Sequence, residues 1–141
     1  MIFGHRFSRI TRIMDELILS LLKNHSEYIG DGIDENIIIK VEEKLDIKIP
    51  NEYRLFLLNI GYAEIYGDVI YYVDEEEGIV ELIDYQNQNN QYLEQGFLEF
   101  FSNDIDGWFY INIDNGKVYL REIDNLFANS FNDFIVKMLS L

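Results

Sequence analysis

Few side chains in this chain could do chemistry. It has two histidines, His5 and His25, no cysteine, and 26 acidic residues against 11 basic ones. Without cysteine there is no disulfide, no thiolate metal site and no cysteine nucleophile. No H-E-x-x-H is present, neither histidine has a reason in the sequence to be a ligand, and both read as solvated surface. Asp104-Ile-Asp106-Gly107 brings two carboxylates close to a glycine, as calcium loops do. The glycine arrives two positions too early for an EF-hand and no Glu closes the loop, so the segment reads as a tight turn between strands. There is no Walker loop, no nucleotide-binding glycine motif and no Gly-x-Ser-x-Gly elbow. A glycosidase-type reaction needs two particular carboxylates, and nothing singles out a pair. The expectation is a protein with no catalytic residues, no metal and no cofactor.

What remains is charge and aromatic surface. The net charge is −15. From Leu55 to Gly116 there are thirteen acids and not one Lys or Arg. Such a field repels nucleic acid and attracts basic surfaces, although it also confers plain solubility. Tyr66, Tyr71, Tyr72, Tyr85, Tyr92 and Trp108 lie among these acids. Tyr and Trp are favoured anchors of protein interfaces, and carboxylates at a rim steer a basic partner. The candidate partner-binding residues are therefore Tyr66, Asp68, Tyr71, Tyr72, Asp74, Glu75, Glu76, Glu77, Asp104, Asp106 and Trp108. Of the adjacent Tyr71 and Tyr72, strand alternation directs one to the core and one to solvent.

The elements that must position these residues follow from periodicity. At 141 residues the chain has the length of one domain, and 48% hydrophobic content is enough for a core. Ile10, Ile13, Met14, Leu17, Ile18, Leu21 and Leu22 have helical spacing, predicting an amphipathic helix over about residues 9–23. Asp15 and Glu16 interrupt its apolar run and no small-residue cleavage site follows, so the expectation is a cytoplasmic protein, and no run approaches the ~18–20 apolar residues of a membrane span. Asp34 is placed to cap a second helix with Ile37 or Ile38, Val41 and Leu45 on one face, and Ile33 and Ile38 as a hydrophobic staple. After Pro50, Tyr53, Phe56, Leu57 and Ile60 mark a third helix, closed by Gly61.

Strands are expected at 62–66 and 68–73 around Gly67, then at 78–83, 97–101, 108–113 and 117–122. The amide-rich stretch 86–95 reads as a surface loop, and Asp114-Asn115-Gly116 as a hairpin turn of type I′. Ser130 with Asp133 resembles a capping box before a closing helix marked by Phe131, Phe134, Ile135 and Met138. The fold class is α+β: a single domain over 1–141 with N-terminal helices, an antiparallel meander and a C-terminal helix packed on the sheet.

In this order the segments meet a known pattern. Val41-Glu-Glu-Lys-Leu45-Asp-Ile47-Lys-Ile49-Pro50-Asn-Glu-Tyr53-Arg-Leu-Phe56-Leu57 resembles the hallmark of the SUKH superfamily, in which an acidic helix runs through a turn and a Leu-Pro-like pair into a helix carrying Tyr and Phe-Leu. Phe100-Phe-Ser-Asn-Asp104-Ile-Asp106-Gly107-Trp108-Phe-Tyr-Ile and Ala128-Asn-Ser130-Phe131-Asn-Asp-Phe134 resemble two further blocks of that family. The likeness covers about residues 33–139. Ile49 stands where Leu is usual, Asp46 stands for the customary Gly, and a Gly pair after the third helix is reduced to Gly61. Bacterial members are typically immunity proteins encoded beside polymorphic toxins, often nucleases, and fungal relatives regulate cell-wall assembly. The resemblance implies a cytoplasmic antitoxin that occludes a cognate toxin domain. It would be a monomer or homodimer that binds no nucleic acid and no membrane. The alternative is a non-enzymatic regulatory module for an endogenous complex.

Overall fold

The computed structural model describes residues 13–73 and 82–140. Helix α1 spans Glu16–His25 and starts where the Asp15 carboxylate accepts hydrogen bonds from the Leu17 and Ile18 amides. The two acids that break the apolar run thus cap the helix and occupy its first turn, where they favour the positive end of the dipole. The expected helix began near residue 9; that part lies outside the described residues, and Asp15 sets the start observed. Its buried stripe is narrower than the spacing predicts. Met14, Ile18 and Leu22 face the core, while Ile13 and Leu17 are exposed.

Helix α2, Glu35–Leu45, is capped by Asp34, whose carboxylate accepts from the Asn36 amide. It ends at Asp46, which adopts a left-handed conformation with φ 54°. The familiar glycine at this place answers that geometry, and Asp is one of the few side chains that tolerates it. Helix α3, Asn51–Asn59, follows Pro50 and buries Tyr53, Phe56 and Leu57. Between α1 and α2 the chain runs against the end of α3: the Gly30, Gly32 and Ile33 amides donate to the carbonyls of Tyr62, Ile60 and Leu57. Gly32 has φ +93°, and a Cβ there would stand 2.0 Å from the Leu58 carbonyl oxygen. Only glycine allows this approach.

The expected strands at 62–66 and 68–73 shrink to a short hairpin, β1 Glu64–Ile65 and β2 Asp68–Val69, turning at Tyr66 and Gly67. Beyond it the Tyr71 amide donates to the Phe100 carbonyl at 2.9 Å, which ties this segment to the main sheet. That sheet is an antiparallel meander of β3 Phe97–Asn103, β4 Gly107–Asn112, β5 Val118–Leu120 and β6 Leu126–Ala128.

Three local expectations change. Residues 78–81 lie outside the described residues, and Leu82 and Ile83 open a helix, α4 Leu82–Asn87, rather than ending a strand. The amide-rich stretch is no loose loop: Asn87 is buried, donating to the Ile83 and Glu99 carbonyls and accepting from the Glu99 amide at 2.8 Å. Its carboxamide completes the backbone pairing of β3, a role invisible in composition. At the 112–117 hairpin only Gly116 takes positive φ, while the Asn112 side chain accepts from the Asp114 and Asn115 amides. Type I′ needs positive φ at two consecutive residues, so the turn is not of that type, and Asn112 supplies bonds that fold it.

Helix α5, Phe131–Leu139, closes the domain. The Ser130 hydroxyl accepts from the Asp133 amide, whereas the Asp133 carboxylate reaches the Asn129 amide, one residue before the cap. Phe134 packs edge-on against Phe100 at 4.9 Å and Phe109 at 5.0 Å, and Phe131 stacks on Tyr53 at 5.3 Å. Each buried ring contributes roughly 1.5–3 kcal/mol. This aromatic block fastens helices α3 and α5 to one face of the sheet and fixes where its hairpins end.

Candidate functional site

Strand β3 ends at Asn103 and β4 begins at Gly107, leaving Asp104, Ile105 and Asp106 as the hairpin tip. The Asn103 carboxamide oxygen accepts from the Asp106 amide, and its nitrogen donates to the Asp106 carboxylate at 3.0 Å. From just beyond β5, Arg121 Nε donates to the Asp106 carbonyl at 2.5 Å. The Arg121 amide donates to the Trp108 carbonyl at 2.7 Å. Gly107 has φ +98°, and a Cβ there would meet Arg121 Cγ at 3.3 Å. A turn tied at both ends projects Ile105, which is 88% exposed. Leaving a large aliphatic side chain in water has no stabilising role in the fold itself.

The β1–β2 turn brings Tyr66, 63% exposed, beside this tip together with Asp68. Ile65, Phe127 and Met138 join them to line a groove of about 770 Å³. Lys137 stands at its edge, its ammonium donating to the Phe127 carbonyl at 2.7 Å and lying 5.5 Å over the Phe127 ring. On the far side of the tip a second groove shares Asp68 and residues 103–106 and adds Ser102, Trp108 and Arg121.

Of the residues singled out from the sequence, Tyr66, Asp68, Asp104, Asp106 and Trp108 thus gather at one end of the molecule. Tyr71 does not join them as a contact residue. It is 4% exposed, and its hydroxyl donates to Glu99 at 2.5 Å within reach of the Ser102 hydroxyl. The bond from its amide to the Phe100 carbonyl holds this segment along β3, and its side chain lies inward, where the partly desolvated Glu99 needs a donor. Tyr72 is half-buried and packs edge-on against Tyr62 at 5.4 Å, in a separate tyrosine cluster with Tyr28. Asp74, Glu75, Glu76 and Glu77 lie outside the described residues, as does His5. Sequence reasoning missed Ile105, Phe127, Met138 and Arg121. Ile105 carried a signal, being an aliphatic residue between two carboxylates in a turn.

Burial raises the Glu99 carboxyl above its ordinary range, against the opposing pull of the Tyr71 hydrogen bond. Burial likewise pushes Tyr110 to about 12 and Tyr71 higher still. Tyr71 and Tyr110 thus flank Glu99 of β3 as structural groups, because phenols held that high do not ionise near neutrality. Among the described residues no group of three or more His, Asp or Glu could hold a metal ion. What the exposed end offers is recognition: carboxylates, aromatic edges and an apolar floor.

The family model SUKH_6, described as SMI1-KNR4 cell-wall, matches residues 35–135. The chain belongs to the SUKH superfamily. No curated protein matches it. SUKH domains are not a known class of enzyme. In this SUKH domain the aromatic positions of the blocks that carry the resemblance are interior, Trp108 excepted. Glu42 accepts from the Ile49 amide at 2.9 Å and from the Arg54 guanidinium, closing the turn between α2 and α3. The Tyr53 hydroxyl donates to the Tyr71 carbonyl at 2.6 Å. Phe56, Phe100, Phe101, Phe131 and Phe134 fill the core. Within those blocks Ile105 and Trp108 are the large apolar side chains left exposed, so the buried SUKH scaffold and this surface are separable parts. No helix among the described residues is long and apolar enough to cross a membrane.

Proposed function

We propose that this SUKH protein is an immunity protein that binds a cognate toxin domain in the cytoplasm and neutralises it by occlusion, without catalysis of its own. One observation carries the reading. Tyr66, Asp68, Asp104, Ile105, Asp106 and Trp108, which contribute little to the core, are gathered on one exposed end. An apolar anchor flanked by carboxylates suits a basic protein, and the net charge of −15 favours fast encounter with one. A nuclease has the basic surface this requires, and the carboxylates then take the place of phosphates.

The test is a pull-down with the purified protein from lysate of its own organism, read by mass spectrometry. Recovery of the C-terminal domain of a large secreted toxin, encoded directly upstream, supports immunity. Recovery of housekeeping assemblies alone overturns it. A second reading draws on the cell-wall description of the matched family: a regulatory module using the same end to dock on an endogenous complex. A gene neighbourhood without a toxin, together with that second outcome, favours it.

A further inference from the structure

We infer that the groove between the two hairpin turns receives one apolar side chain from a protein segment flanked by lysine or arginine. This rests on the immunity reading and names the element of the partner that the surface recognises. The floor is apolar, made by Ile65, Phe127 and Met138, and Tyr66 and Ile105 form its walls. Its volume of about 770 Å³ exceeds what one side chain fills, leaving room for the flanking backbone. Asp68 and Asp104 stand on the rim, and among the described residues their carboxylates have no hydrogen-bond or ion-pair partner.

These carboxylates decide the occupant. Covering them with an uncharged segment strips their water without compensation, whereas a cationic one pairs them. A second copy of this chain is disfavoured, because it carries the same −15 charge and sets like charges together. Nucleic acid is repelled for the same reason. Lys137 is already engaged by the Phe127 carbonyl and ring, so the cations of the segment lie toward the Asp68 and Asp104 rim.

The experiment uses the full chain and a fluorescent synthetic peptide with one tryptophan between paired lysines. Two control peptides replace the tryptophan by serine or the lysines by glutamates. Binding is measured by anisotropy and mapped by amide chemical shifts. Only the first peptide should bind, with shifts centred on 65–68, 103–106, 127 and 138. Ile105→Ser and Asp104→Lys, both at exposed positions, should each weaken it by about tenfold. The inference is overturned by absence of binding, by equal binding of either control, by shifts centred elsewhere, or by indifference to both substitutions. Its fate is separable from that of the immunity reading. Toxin neutralisation unaffected by Ile105→Ser and Asp104→Lys sinks the groove alone. A groove that binds the peptide in a protein that protects against no toxin sinks immunity alone.

Discussion

Arg121 Nε donates to the Asp106 carbonyl at 2.5 Å, so a residue of β5's exit holds the tip between β3 and β4 from outside that hairpin. Arg121 pays no role in the core and is itself exposed, with φ 67°. The bond restricts the loop from which Ile105 projects, and a restricted loop loses less entropy on binding. Arg121→Ala should therefore cost only about 1 kcal/mol in urea denaturation. It should lower affinity for the partner about tenfold, through ordering entropy now lost on binding. Equal affinity in calorimetry would show that the tip needs no brace.

Ile105→Ser and Phe134→Ala separate surface from scaffold. Ile105 is 88% exposed, so its replacement should change stability by less than about 0.5 kcal/mol. Phe134 is fully buried against Phe100, Phe101 and Phe109, and truncation should cost about 3–5 kcal/mol. Chemical denaturation of both variants reads the contrast directly.

Gly32→Ala should destabilise the protein by at least about 2 kcal/mol. Both its φ of +93° and the Leu58 carbonyl 2.0 Å from the added Cβ oppose the substitution. A Tm unchanged from wild type would mean that the 30–33 segment can leave α3 without consequence.

Glu99 makes stability depend on pH in a definite direction. Its folded pKa is raised, by burial first, with the Tyr71 hydrogen bond opposing. Its contribution is therefore fully present below the unfolded value of about 4.3 and is lost as pH rises through the folded value. Because other carboxylates titrate too, the informative quantity is the difference from Glu99→Gln. Wild type should lose stability relative to that variant as pH rises across this window. Parallel stability curves would contradict the assignment.

Much of this architecture was legible because local chemistry and tertiary structure agree. Asp34 and Ser130 cap helices that their neighbours already favour, and the aromatic residues at 53, 56, 100, 131 and 134 pack as their spacing requires. The segment at 82–95 was not legible, because Asn87 earns its place by bonding to Glu99 in a distant strand. β6 is three residues long and pairs only with β5, too short for alternation to register. At the candidate site, Tyr66, Asp68 and Trp108 stood out by type, but their convergence depends on two hairpin turns meeting the end of α5. Tyr71 and Trp108 look alike in sequence, and only the pairing of β3 with the 70–73 segment turns one inward and leaves the other 55% exposed.

The most direct test of the immunity reading is growth rescue. The C-terminal domain of the toxin encoded beside this gene is expressed in a sensitive host, alone and with this protein, its Ile105→Ser Asp104→Lys double variant, or neither. The account predicts that the toxin domain arrests growth, that the wild-type protein restores it, and that the folded double variant does so poorly. Growth arrest unrelieved by the wild-type protein at equal expression would contradict it.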